Sequence, residues 1–148
     1  MDTIVAPAAR RTLDSKPIAP SLFAHFVLRS SNMAKMVDWY CQTFAMRVIA
    51  QNDANPPAFC VGYGEGLTGG AVIELMHARE PGGHPAEFKR FQPGLRHMAI
   101  RVSDFDAAYA KLEAAGVQFI GEPGVAVGGG PIVSFRDPEG NELQIVQR

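Results

Sequence analysis

Two histidines, one glutamate and one glutamine recur at matching places in this 148-residue chain, and together they could bind a cation. His25 and His97 are 72 residues apart (97 − 25), and Glu74 and Gln144 are 70 residues apart (144 − 74). Imidazole nitrogens, carboxylate oxygens and amide oxygens all donate an electron pair to a divalent ion. The spacing therefore predicts a metal centre that is assembled from two equivalent halves of the chain.

The halves match beyond these candidate ligands. Arg29 returns as Arg101 at the offset of the histidines, and Ser31 returns as Ser103. The apolar stripe of a helix also recurs, and each half ends in a similar strand. A period this long that occurs only twice predicts two fused βαβββ modules, because a solenoid needs several short repeats.

We expect residues 1–20 to form an N-terminal tail and residues 21–148 to form a single domain. This domain comprises module one at 21–76, a connector at 77–93 and module two at 94–148. The predicted elements mix helices with strands, and short loops join neighbouring strands. This pattern predicts an α+β fold whose sheets are mostly antiparallel, are curved and form a cleft.

Periodicity predicts which elements carry the candidate ligands. A strand at Leu22–Leu28 carries His25, a helix follows with Ser31 as its N-cap, and a strand at Ala71–Met76 carries Glu74. The predicted apolar face of this helix consists of Met33, Met36, Val37, Tyr40 and Phe44. The other predicted elements are strands at Arg47–Gln51, Ala58–Tyr63, Leu95–Val102, Gln118–Gly121, Pro131–Arg136 and Glu142–Gln147, and a helix that starts near Ser103–Asp106 and stops at Gly116.

Composition and charge argue against several classes of partner. The chain has 14 basic and 15 acidic residues and no basic stripe, so we expect no nucleic-acid partner. No segment approaches membrane-spanning length, so we expect a cytoplasmic protein without a membrane partner. Cys41 and Cys60 lack CxxC spacing, which favours two reduced thiols over a disulfide.

The motifs resemble those of the vicinal oxygen chelate superfamily, which includes glyoxalase I, extradiol ring-cleavage dioxygenases and bleomycin resistance proteins. The resemblance covers nearly all of residues 22–147, and its motifs are His25–Arg29, Asp38–Tyr40, Val61–Gly64, Ala71–Leu75, Arg96–Ala99 and Asp137–Asn141. Among members, Val61–Gly64 and Ala71–Leu75 are most similar to bacterial glyoxalase I. The resemblance implies the glyoxalase/bleomycin resistance fold and a homodimer in which each site takes ligands from both chains.

The resemblance also implies one divalent ion per site (Ni, Co, Zn, Mn or Fe), bound by His25, Glu74, His97 and Gln144. It further implies a lyase or isomerase that acts on a small substrate with vicinal oxygens through a metal-stabilised enediolate, with Glu74 as the catalytic base. The residues that we expect to contact the small-molecule substrate are Arg29, Arg101, Phe59 and Tyr63.

Two other functions stay open. His25, His97 and Glu74 also suit the two-histidine, one-carboxylate face of an Fe(II) extradiol dioxygenase, although the carboxylate then comes from the other module. The third possibility is a non-catalytic protein that binds an antibiotic-like molecule in its cleft.

The family pattern has a glutamate where this chain has Gln144, and an amide carries no charge and cannot act as a base. Glu142 lies two residues earlier on the same face of that strand, and we expect it to take the place of Gln144 only if the strand shifts. The competing interpretation of Glu74 is a salt bridge to Arg29 or Arg101, which would also compensate a buried carboxylate.

Overall fold

The structure, a computed structural model, describes residues 23–82 and 93–148. The predicted N-terminal tail and most of the connector lie outside these ranges. The elements in chain order are β1 (His25–Ser30), α1 (Met33–Phe44), β2 (Arg47–Gln51), β3 (Phe59–Gly62), β4 (Val72–His77), β5 (His97–Val102), α2 (Phe105–Ala114), β6 (Phe119–Val125), β7 (Pro131–Arg136) and β8 (Glu142–Gln147).

Two four-stranded sheets repeat one topology. The first has the order β1-β4-β3-β2 and the second has the order β5-β8-β7-β6. In each sheet the first and last strands of the module pair in parallel, whereas the other two pairings are antiparallel. The predicted α+β fold of two tandem βαβββ modules is confirmed. The parallel pairing places each histidine-bearing strand beside the strand that carries the glutamate or the glutamine.

Strands β2, β7 and β8 span the residues that the sequence predicts, whereas the ends of the other strands differ by up to four residues. The predicted N-cap of α1 was wrong, because Asn32 takes that position and its side chain accepts from the Lys35 N–H at 3.1 Å. The N–H and hydroxyl of Ser31 instead donate to Glu139 Oε1, at 2.8 and 2.9 Å. Among the described residues no helix has both the length and the apolarity to cross a bilayer.

Each helix covers one face of its sheet and leaves the opposite face open. Met33, Met36 and Tyr40 of the predicted apolar stripe are buried. They share one core with residues of both sheets, among them Val61, Ile73, Leu75, Val133, Phe135, Leu143 and Ile145. Successive side chains of a strand point to opposite faces, so the alternate residues of these strands face away from the helices. We call that side the open face of each sheet.

Module two contacts α1 through β7 and the turn that follows it, and we call this contact the module seam. The ring of Phe135 lies 6.5 Å from that of Trp39 and 6.0 Å from that of Phe44. In the same place Tyr40 donates its hydroxyl to Asp137 Oδ2 at 2.9 Å. The seam joins the modules on the helix side, so the open faces carrying the histidines take no part in it.

Candidate metal centre

His25 and Glu74 lie together on the open face of the first sheet. The parallel register of β1 and β4 pairs His25 with Val72 and Val27 with Glu74, so Glu74 is diagonal to His25 on the same face. His25 Nε2 is 3.3 Å from Glu74 Oε2, and the two side chains are 49% and 27% exposed. Arg29, the competing partner for Glu74, donates instead to the backbone carbonyl of His77 at 3.0 Å. An imidazole and a carboxylate therefore meet at a surface that solvent reaches.

Cys60 and a cavity adjoin this pair. Cys60 is the cross-strand partner of Glu74 in the β3–β4 ladder, so both side chains lie on the same face. Burial, and then the charge of Glu74, raises the pKa of the Cys60 thiol. A cavity of about 270 Å³ is lined by both residues together with Gln51 and Leu67. Strand register alone brings Cys60 beside Glu74, so this position could not be predicted from the order of residues.

His97 lies beside a carboxylate on the open face of the second sheet. The β5–β8 register pairs His97 with Glu142 and Ala99 with Gln144. His97 Nδ1 is 4.0 Å from Glu142 Oε1, and the side chains are 39% and 9% exposed. Our expectation concerned Glu142 as a replacement for Gln144, and its position relative to His97 was left open. The observed register already places Glu142 beside His97.

Gln144 occupies the position in the second sheet that Glu74 occupies in the first. Its Nε2 donates to the hydroxyl of Ser134 at 3.0 Å. Ser134 is also its cross-strand partner in β7. Because the amide nitrogen is bonded there, the amide oxygen is the atom of Gln144 that remains to donate an electron pair to a cation.

The candidate ligands form two half-sites within one chain. Across residues 23–82 and 93–148, no group of three or more histidine, cysteine, aspartate or glutamate side chains lies close enough together to hold a metal ion. The first sheet supplies His25 with Glu74, and the second supplies His97 with Gln144. A centre with all four ligands requires the open faces of two such sheets to come together.

Arg29 and Arg101 accompany the histidines. Each lies four residues after a histidine on the same strand, and each is exposed, as is the histidine. The alternation of side chains along a strand places both arginines on the open faces. Two cationic groups are thus available beside the candidate ligands.

The two aromatic residues that we expected to bind substrate are placed differently. Phe59 precedes Cys60, so its side chain points to the helix side, where it packs against the core. That placement puts Phe59 on the opposite side of the sheet from Glu74, and its contact with substrate stays a prediction. Tyr63 follows the end of β3 and is 54% exposed.

Comparison with known protein families identifies the superfamily of the chain. The model of the Glyoxalase/Bleomycin resistance protein/Dioxygenase superfamily matches residues 22–145. The chain belongs to this superfamily. The match includes both modules and all four candidate ligands.

Several curated superfamily members resemble the chain in sequence. A lactoylglutathione lyase of Arabidopsis thaliana is 25% identical over 130 residues, which are 85% of this chain and 44% of that protein, so the chain spans less than half of its length. A lactoylglutathione lyase of Neisseria meningitidis serogroup B is 27% identical over 130 residues, which are 84% of this chain and 88% of that protein. The biphenyl-2,3-diol 1,2-dioxygenase 3 of Rhodococcus globerulus is 31% identical over 140 residues, covering 86% of this chain and 64% of the dioxygenase.

A solved superfamily structure shares the fold. The glyoxalase I of Leishmania major superposes with a TM-score of 0.66 at 18% identity, covering 86% of this chain and 87% of that one. At this level of identity the likeness establishes the architecture alone.

Proposed function

We propose that this protein is a divalent-metal-dependent, glyoxalase-like lyase or isomerase whose substrate carries oxygens on neighbouring carbons. The observation that carries the proposal is the 3.3 Å approach of His25 Nε2 to Glu74 Oε2 on an open sheet face. The adjoining cavity of about 270 Å³ gives a small molecule access to Glu74. The lactoylglutathione lyases among the relatives support this reaction class.

We infer that the working form is a homodimer. In it, the open face of the first sheet of one copy meets the open face of the second sheet of the other copy. His25 and Glu74 of one chain then join His97 and Gln144 of its partner, so a dimer has two sites. Val27 lies between His25 and Arg29 on the open face and is 46% exposed, which supports this pairing because association would bury an apolar side chain.

The donor set suits a divalent transition metal, because imidazole nitrogens with carboxylate and amide oxygens bind Ni, Co, Zn, Mn and Fe. When bound, such an ion supplies a Lewis acid that stabilises negative charge on neighbouring substrate oxygens. The residues of the chain supply the rest. Glu74 accepts the proton from the substrate carbon and returns it to the adjacent carbon. Arg29 and Arg101 bind an acidic group of the substrate.

The second candidate function is ring cleavage of a catechol-like diol with Fe(II) and O₂. The relative at 31% identity, a biphenyl-2,3-diol 1,2-dioxygenase, favours it. Two histidines and one carboxylate are the ligands that such iron sites use. The two functions differ in oxygen consumption, and ring cleavage requires the iron form.

The test loads the purified protein with Ni²⁺, Co²⁺, Zn²⁺, Mn²⁺ or Fe²⁺ and assays each form with methylglyoxal plus glutathione or another thiol. We expect thioester formation that depends on the metal, and no oxygen uptake with catechols. Glu74→Gln should lower kcat by about 10² to 10⁴, because a positioned base contributes that much. The matched control is Glu113→Gln, the same change at an exposed position of α2, and it should leave kcat unchanged.

Two other results would contradict the proposal. Oxygen uptake with catechols in the iron form alone would establish the dioxygenase. Tight binding of an aromatic or antibiotic-like ligand without turnover in any metal form would establish a binding protein.

A further inference from the structure

The duplication allows a comparison between modules within one chain. In module one, the residue opposite His25 in the parallel ladder is Val72. In module two, the residue opposite His97 is Glu142. The two pairs occupy equivalent places in their sheets. The position opposite the histidine is therefore apolar in module one and acidic in module two.

The two modules carry their carboxylates at different positions along the equivalent strand. Module one has its carboxylate at Glu74, where module two has the neutral Gln144. Module two has its carboxylate two residues earlier, at Glu142. Each module therefore carries one strand-borne carboxylate beside its histidine, and the one in module two approaches the ring from a different position.

We propose that Glu142 is a positioning residue for His97 and that it supplies, through the imidazole ring, the negative charge that Gln144 lacks. The inference rests on the proposed metal centre. Nδ1 is the ring nitrogen that faces Glu142, at 4.0 Å from Oε1. A carboxylate on that side attracts the ring proton to Nδ1, which leaves Nε2 as the electron-pair donor. At 4.0 Å this is a charge interaction and not a hydrogen bond, and through it Glu142 favours one tautomer and makes the ring a better donor without binding the ion itself.

Burial strengthens this role, and the neighbouring strand adds a cation to the same row. The Glu142 side chain is 9% exposed, and charge interactions act more strongly where water is excluded. On its other side Glu142 is opposite Arg136 in the β7–β8 ladder. Arg136 donates to the carbonyl of Gly140 at 2.8 Å, which fixes the guanidinium near the start of β8. Three adjacent strands thus present an arginine, a carboxylate and an imidazole in one row.

The first test measures the tautomer of His97 in the metal-free protein, from the ¹⁵N shifts of the ring at a pH where the imidazoles are neutral. We expect the Nδ1–H tautomer in the wild type. Glu142→Val, which gives module two the residue of module one, should convert the ring to a mixture with Nε2–H. His25 serves as the internal reference, and its tautomer should not change.

The second test measures Zn²⁺ affinity by competition with a chelator. Glu142→Val should weaken binding about 10- to 100-fold, the usual effect of removing a carboxylate behind a metal-binding histidine. Glu142→Gln is nearly isosteric and keeps an acceptor but removes the charge, so we expect it to retain the tautomer and still weaken binding. Glu113→Gln is the control for the loss of one negative charge elsewhere.

The outcomes separate this inference from the proposed function. An unchanged His97 tautomer in folded Glu142→Val protein, or a Glu142 oxygen bound directly to the metal in a crystal structure, would overturn the positioning role. If the wild type binds no Zn²⁺, the metal centre is contradicted. If His97 then still loses its Nδ1–H tautomer in the Glu142→Val variant, the effect of Glu142 on the ring is supported.

Discussion

The hydroxyl of Tyr40 donates a 2.9 Å hydrogen bond to Asp137 Oδ2 across the module seam. Tyr40 is fully buried on α1, and Asp137 is the first residue of the β7–β8 turn. Burial raises the pKa of Asp137, although hydrogen bonds from Asn141 and Tyr40 act in the opposite direction. Burial, and then the charge of Asp137, raises the pKa of Tyr40. A phenol of module one thus stabilises a buried carboxylate of module two.

Tyr40→Phe keeps the ring and removes this hydrogen bond. We expect it to lower the free energy of unfolding by about 1–3 kcal/mol, because a buried carboxylate oxygen loses a donor. Urea denaturation followed by circular dichroism measures the change. Tyr63→Phe removes a hydroxyl from a residue that is 54% exposed and should change stability by less than about 0.5 kcal/mol. Equal effects of the two substitutions would show that the seam contact contributes nothing.

Glu139 makes the stability of the seam depend on pH. Burial alone would raise the pKa of Glu139. Hydrogen bonds from the Ser30 and Ser31 hydroxyls, and from the Asn32 and Ser31 N–H groups, nevertheless hold it below the ordinary value of 4.5. The unfolded chain therefore binds more protons than the folded chain in this range. The contribution of Glu139 is complete above pH 4.5 and is lost as the pH falls through the folded pKa.

We expect Glu139→Gln to unfold more easily than the wild type near neutral pH and to approach the stability of the wild type as the pH falls through the folded pKa of Glu139. Urea denaturation at a series of pH values measures this convergence. Glu113→Gln should remain parallel to the wild type throughout. A Glu139→Gln curve that also stays parallel would contradict the assigned hydrogen bonds.

The shared site of the proposed dimer predicts complementation between two inactive variants. His25→Ala and His97→Ala should each abolish activity, because every site needs both histidines. In a mixed dimer one site loses both histidines and the other keeps both. Refolding the variants together should therefore restore about a quarter of the wild-type activity, since half of the dimers are mixed and each has one intact site. Sedimentation should show a dimer, and the absence of any recovery would indicate sites built within one chain.

Gln144→Glu tests whether residue 144 reaches the ion. A carboxylate adds a negative charge where the amide has none, so we expect Zn²⁺ to bind about tenfold more tightly, or about 1.4 kcal/mol. Competition with a chelator measures the affinity. Gln147→Glu adds the same charge outside the candidate ligand set and should have less effect. An unchanged affinity in Gln144→Glu would place this residue outside the coordination sphere.

Local pattern predicted much of the fold and the faces of the candidate ligands. Strands β7 and β8 were predicted to the residue because turn residues bound them. Register was not predictable in the same way, because a period of two determines the face of a side chain but not its partner along the neighbouring strand. For that reason Glu142 was correctly assigned to the face of Gln144, whereas its place opposite His97 appeared only in the structure.

The N-cap of α1 shows a second limit. Ser31 and Asn32 are both good N-cap residues, so local preference does not choose between them. The choice depends on Glu139, which accepts from Ser31 although it lies 108 residues later. Contacts at such a separation leave no trace in the local sequence.

The two capping arrangements have a consequence for how the protein is made. Ser31 and Asn32, which lead into α1, donate their N–H groups to Glu139 of the other module, whereas the first N–H of α2, that of Phe105, donates to Gln147 Oε1 of its own module. A ribosome therefore releases α1 long before it synthesises the acceptor for the residues that lead into this helix. A gene cut between the halves would yield one fragment in which the entry to α1 lacks that acceptor.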